Sequence, residues 1–147
     1  MKPSLRPGAS RVNRITIGRE RTIGFMGEEA RTYGTPSMIL DIEHTCRELI
    51  IEHADAGEDS VGMEVAVKHL APTLMGMTVE ITVSVTAVDG RKITFEVAAR
   101  DDLDAISAGT HTRFVVEKGA RLYQLNAYRK TLETWFLEVM GEDQRPG

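Results

Sequence analysis

Three side chains could do acid–base or acyl chemistry together: Glu43, His69 and Thr35. Glu43 lies in Pro36 to Glu52, where Ile39, Ile42, Cys46, Leu49 and Ile50 recur at helical spacing. It stands four residues after Ile39, three before Cys46 and seven before Ile50, so it is expected inside the apolar stripe. A carboxylate there is costly unless it is paired, shifted in pKa or put to work. His69 extends Val61, Met63, Val65 and Val67, the apolar face of a strand that alternates with Gly62, Glu64, Ala66 and Lys68. If the helix packs on this sheet, or on a neighbour's, Glu43 and His69 could meet as an acid–base pair in a dry cleft. A satisfied structural ion pair is the other reading, and the pattern alone does not separate them. Thr35 and Pro36 read as a helix N-cap followed by proline at the first helical position. Free N–H groups and the helix dipole favour developing negative charge there, although a plain cap explains the threonine equally simply.

The elements that must position these residues follow from periodicity. Val12 to Ile23 is expected as a first strand and Gly24 to Gly34 as an irregular segment. After the helix, Val79, Ile81, Val83 and Val85 alternate with polar residues, and Asp89-Gly90 signals a hairpin. Ile93, Phe95, Val97 and Ala99 form the return strand. A last strand is expected from Asp104 to Val116, with Ile106, Phe114 and Val116 inward and His111 on the more polar, structural face. Arg121 to Met140 then carries Leu122, Leu125, Leu132, Trp135, Phe136 and Val139 at helical spacing. The order predicts an α+β fold with one core, a long central helix wrapped by a curved antiparallel sheet, and an extra C-terminal helix. Residues 1–10 are expected to be a loose segment, 11–118 the domain, and 119–147 the C-terminal helix and tail.

Composition narrows the function classes. The formal net charge is −4, and no basic stretch with interleaved aromatics appears, which argues against a nucleic-acid partner. No run approaches membrane-spanning length, and Met1 to Ser10 lacks the apolar run of a signal peptide. The single cysteine, Cys46, excludes an intrachain disulfide and fits a reducing compartment, so a cytoplasmic protein is expected. The histidines and the cysteine show no zinc spacing, so no metal is expected.

Several separated segments carry a family resemblance. They are Thr35 with Glu43 in TPSMILDIE, Ser60-Val61-Gly62, His69-x-Ala71-x-Thr73-x-x-Gly76, Val88-Asp89-Gly90-Arg91, and the Ser107 to Arg113 run SAGTHTR. From Ile15 to Glu117 the chain resembles the hot-dog-fold thioesterases, specifically the fluoroacetyl-CoA thioesterase-like group. The resemblance implies a hot-dog fold and acyl-CoA thioester hydrolysis, with coenzyme A as part of the substrate and no separate cofactor. It implies Thr35, Glu43 and His69 as the catalytic trio, and Gly62, His69 and Arg113 as positions contacting the acyl-CoA. It also implies a homodimer with active sites at the interface, where Glu43 and His69 could meet across subunits. At the positions where the fluoroacyl-selective enzyme has lid aromatics, this chain carries Met26 and Glu29, with Phe25 and Tyr33 out of register. A non-catalytic acyl-CoA or small-ligand binding protein on the same fold is the alternative.

Overall fold

The computed structural model describes residues 1–119, 129, 131–135 and 137. Five strands form one antiparallel sheet in the order β1-β5-β6-β7-β4, from β1 (Ser10–Thr16), β4 (Glu58–His69), β5 (Thr78–Asp89), β6 (Lys92–Arg100) and β7 (Ala105–Glu117). Two short strands, β2 (Thr22–Ile23) and β3 (Thr32–Tyr33), pair separately just before the helix α1 (Thr35–Glu52). The first strand expected from Val12 to Ile23 is thus broken. Ile17 is buried in the core, and a single 3-10 turn at Arg19–Arg21 redirects the chain into β2.

Alternation in β5 and β6 is as the sequence pattern implies: Val79, Ile81, Val83, Val85, Ile93, Phe95 and Val97 are all buried. The helix lays Met38, Ile42, Cys46, Leu49 and Ile50 on them. This stripe is centred on Met38 rather than Ile39. Glu43 therefore sits on the flank of the stripe, with its side chain 33% exposed, while Asp41 on the opposite flank is buried. The cap also differs from expectation. Gly34, in extended conformation, is the N-cap, and Thr35 is the first helical residue. Glycine is tolerated at that position, so the threonine hydroxyl is left available for another partner.

Two irregularities set the inner face near β4. The β4–β7 ladder slips between Gly62 and Glu64, a bulge that leaves Met63 as the extra residue. Before it, Gly62 pairs with Arg113; after it, Val65 pairs with His111 and His69 with Ser107. Cross-strand partners share a face, so His111, Arg113 and Val115 point toward α1. The expectation that Phe114 and Val116 point inward is thereby corrected. The bulge likewise ends the continuous odd-numbered face expected for β4.

The N-terminal segment departs from the sequence reading, whereas the expected C-terminal helix is present among the described residues. Residues 1–10, expected to be loose, are tied down: Leu5 is buried, the Lys2 N–H donates to the His53 carbonyl at 2.8 Å, and the Gly8 N–H donates to the Val85 carbonyl at 2.9 Å. Beyond Gly119, helical residues include Thr131 to Trp135, and Lys92 Nζ lies 4.8 Å from the Trp135 ring centroid. Leu122, Leu125, Phe136 and Val139 lie outside the described residues.

Gly109 is where β7 crosses β4 most tightly. A Cβ there would overlap the Ala66 carbonyl oxygen and come within 2.7 Å of Val67 Cα, both backbone atoms that cannot swing aside. Gly109→Ala should lower unfolding free energy by about 2–3 kcal/mol in urea melts. An unchanged midpoint would show that the crossing can open without loss.

Candidate active site

The first group of candidate side chains forms at the N-terminus of α1. Thr35 Oγ1 and His69 Nδ1 are in hydrogen-bond contact at 2.8 Å. The other ring nitrogen, Nε2, is buried and meets no hydrogen-bond partner among the described residues. A buried nitrogen of this kind is an uncommon feature, and it makes the ring available to a ligand. His69 helps line a cavity of about 330 Å3 together with Ile23, Thr32, Tyr33, Thr35 and Leu70. Burial pushes the His69 pKa below the ordinary imidazole value, which favours the neutral ring.

Tyr33 holds this corner in place. Its ring meets His69 edge-on, with centroids 6.5 Å apart, and its hydroxyl donates to Asp41 Oδ2 at 2.5 Å. Arg21 Nε donates to the same carboxylate oxygen at 3.1 Å. Asp41 is thus a paired buried acid that ties β3 and the Arg19–Arg21 turn to the second turn of α1. Burial, then the Asp41 carboxylate, raise the Tyr33 pKa and keep the phenol protonated. Neither Asp41 nor Tyr33 stands out in the sequence as a site residue. The one available signal was a second acid two positions before Glu43.

The second group surrounds Glu43. Arg113 donates through Nε to Ser60 Oγ at 2.7 Å, through one terminal nitrogen to the Ser60 carbonyl at 2.9 Å, and lies 3.2 Å from His111 Nε2 through the other. Glu43 Oε1 is 4.0 Å from the same His111 nitrogen. Gly62 completes the group, because a Cβ there would stand 2.9 Å from Glu43 Oε1 and 3.6 Å from the Arg113 guanidinium. The missing side chain leaves room for the carboxylate. Arg113 is buried and braced by protein atoms, and the burial lowers its pKa while Glu43 opposes the shift. His111, read from sequence as structural, stands inside this group. Cys46 adjoins it too, but burial pushes its thiol up to about 12, which leaves it unreactive.

The two groups stay apart within one chain. Glu43 follows Thr35 by eight helical residues, which places it about 12 Å along the axis. Among the described residues no hydrogen bond or ion pair joins Glu43 to His69. The chain therefore assembles Thr35 with His69, and Glu43 with Gly62, Arg113 and His111, at two stations on one helix.

His111 is shifted in the same direction as His69, first by burial and then by Arg113. Both imidazoles are held neutral in the fold but titrate near 6.5 when unfolded. Between the depressed folded values and 6.5 the unfolded chain binds more protons, so stability present above that pH is lost as pH falls. The melting temperature should hold from pH 8 to 7 and decline from about pH 6.5 downward, where the unfolded imidazoles take up protons. Scanning calorimetry across this range checks it; a flat profile down to pH 5 contradicts the burial of neutral rings.

Known proteins resemble this chain in sequence and in fold. The sequence matches the FlK family, fluoroacetyl-CoA-specific thioesterase, over residues 17–119. It is 28% identical over 123 residues to the fluoroacetyl-CoA thioesterase of Streptantibioticus cattleyicolor, covering 79% of this chain and 88% of that protein. A variant of the fluoroacetyl-CoA-specific thioesterase FlK in complex with fluoroacetate and CoA superposes with a TM-score of 0.69 at 28% identity, covering 76% of this chain and 95% of that one. A thioesterase superfamily member from Thermus thermophilus superposes with a TM-score of 0.74 at 27% identity, covering 92% and 98% of the two chains. The helix wrapped by a five-stranded antiparallel sheet is the hot-dog fold. With the family match spanning most of its length, the chain belongs to the fluoroacetyl-CoA-specific thioesterase family and is a thioester hydrolase.

Proposed function

We propose that the protein hydrolyses a small acyl-CoA thioester to the free acid and coenzyme A, in a cytoplasmic homodimer whose active sites are shared between subunits. The observation that carries this reading is the split of the trio. Thr35 and His69 form a finished pair with a vacant buried nitrogen, and Glu43 waits about 12 Å further along the same helix. One protomer cannot bring both to a single carbonyl. An antiparallel neighbour can, and β4 offers the place: it is an edge of the sheet, with Val61 42% and Val65 39% exposed. The CoA complex of the FlK variant supports the choice of thioester.

The chemistry follows from the geometry. The thioester carbonyl lies at the N-terminus of α1, where free N–H groups favour charge on its oxygen. The Thr35 hydroxyl donates to His69 Nδ1, which puts the ring proton on Nε2. Glu43 of the partner subunit either takes a proton from an attacking water or attacks the carbonyl itself, giving an anhydride that water opens. In both routes the C–S bond breaks, the neutral Nε2–H hydrogen-bonds to the departing thiolate, and the proton that completes the thiol comes from the water consumed in the hydrolysis. Gly62 and Arg113 border the acyl end beside Glu43. Met26 and Glu29 stand at the positions of the lid aromatics, and Met26 is exposed. The acyl group is accordingly small but not restricted to fluoroacetyl.

Thiol release from a panel of acyl-CoA esters tests the activity; tight binding without release would favour a binding protein instead. Glu43→Gln and His69→Ala should each lower kcat by about 10²–10⁴ while leaving a folded dimer. Co-refolding the two variants should restore about one quarter of wild-type activity, because half the dimers are mixed and each carries one intact site. Mixed dimers that remain dead would refute the shared site.

A further inference from the structure

We propose that His111 is a positioning residue for Glu43: a neutral imidazole, locked in one tautomer between the β4 bulge and the Arg113 guanidinium, that fixes where the carboxylate stands. The role attributed to Glu43 rests on the thioesterase reading above; the tautomer and the brace do not.

The tautomer is dictated by its two partners. His111 Nδ1 lies 2.7 Å from the Glu64 carbonyl oxygen, which only accepts, so Nδ1 carries the hydrogen. His111 Nε2 lies 3.2 Å from an Arg113 terminal nitrogen, which only donates, so Nε2 carries the lone pair. The ring is buried and stacks on Phe95, with centroids 6.4 Å apart and planes 24° apart, which leaves no second orientation open.

These contacts straddle the bulge. Arg113 grips Ser60, two residues before Gly62, and His111 grips Glu64, two residues after it. The pair is a brace across the slipped register, with Gly62 at its middle and Glu43 Oε1 resting against the gap. The charged groups around the ring are Glu43 from α1 and Arg113 from β7; the Cys46 thiol on α1 is neutral. A proton added at Nε2 would break the Arg113 bond and point a donor at Glu43, 4.0 Å away. The carboxylate would then be held by the imidazolium instead of facing substrate.

The test uses the full-length protein. Nitrogen-15 spectra should show His111 as the Nδ1–H tautomer, uncharged from pH 8 to 7. His111→Phe keeps the stacking ring but removes both nitrogens. It should lower kcat about 100-fold, the scale set by small misplacements of a reacting group. KM should move less than about 3-fold, since substrate contacts are retained. His111→Gln, which returns an acceptor to Arg113, should recover a large part of kcat. The carbon-13 carboxylate shift of Glu43 should move in the Phe variant and return in the Gln variant. If the wild-type protein releases no thiol from any acyl-CoA, the thioesterase reading fails, while the two spectra still read the brace. A His111 that is doubly protonated at pH 7, or in the Nε2–H form, overturns the proposal, as does a folded His111→Phe enzyme with wild-type kcat.

Discussion

Ile42, Cys46, Leu49 and Ile50 are withdrawn from water between α1 and the inner face of the sheet. Burying a large aliphatic side chain of this kind is worth roughly 1.5–3 kcal/mol, so together they outweigh any single polar contact in the site. That burial fixes the rotation of α1 about its axis, and the rotation decides everything polar. It turns Asp41 inward on one flank, toward Tyr33 and Arg21, and sets Glu43 on the other, toward Arg113 and His111. Because the helix is rigid, it also sets the separation of Thr35 from Glu43. The two groups of side chains are the two ends of one ruler.

Two acids on neighbouring turns of surface thus meet different fates. Asp41 receives a phenol and a guanidinium and has nothing left to offer a substrate. Among the described residues Glu43 receives no hydrogen bond; Arg113 directs N–H groups at Ser60 and His111. The difference lies in whether the neighbouring donors are already engaged. Three of the five Arg113 N–H donors are directed at Ser60 and His111, and its charge acts on the carboxylate through the field.

Much of the fold was legible because it is local. The helix, the β5–β6 hairpin with Asp89-Gly90 at its turn, and the inward faces of both strands follow from periodicity, and the structure places them so. The site was legible only in pieces. Thr35 and His69 could be named, but their contact depends on Gly34 taking the cap. In β7 the alternation places Ile106 correctly in the core but misplaces Phe114 and Val116, because His111 and Arg113 look like solvent residues in an alternating pattern. Their burial depends on partners in β4 that only the bulge presents. Asp41 was passed over for the same reason: its partners, Arg21 and Tyr33, are brought to it by short strands with no pattern of their own.

The slipped register of β4 has a consequence for assembly. A long edge strand with free backbone groups can template pairing with almost any extended chain. A bulge adds twist and displaces one residue, so the edge of β4 is no longer a straight ruled line. A foreign flat strand would lose its match where the kink begins, whereas a strand with the same kink in mirrored order keeps it through its length. The irregularity that makes room for a carboxylate on the inner face therefore also guards the outer edge against a flat foreign strand.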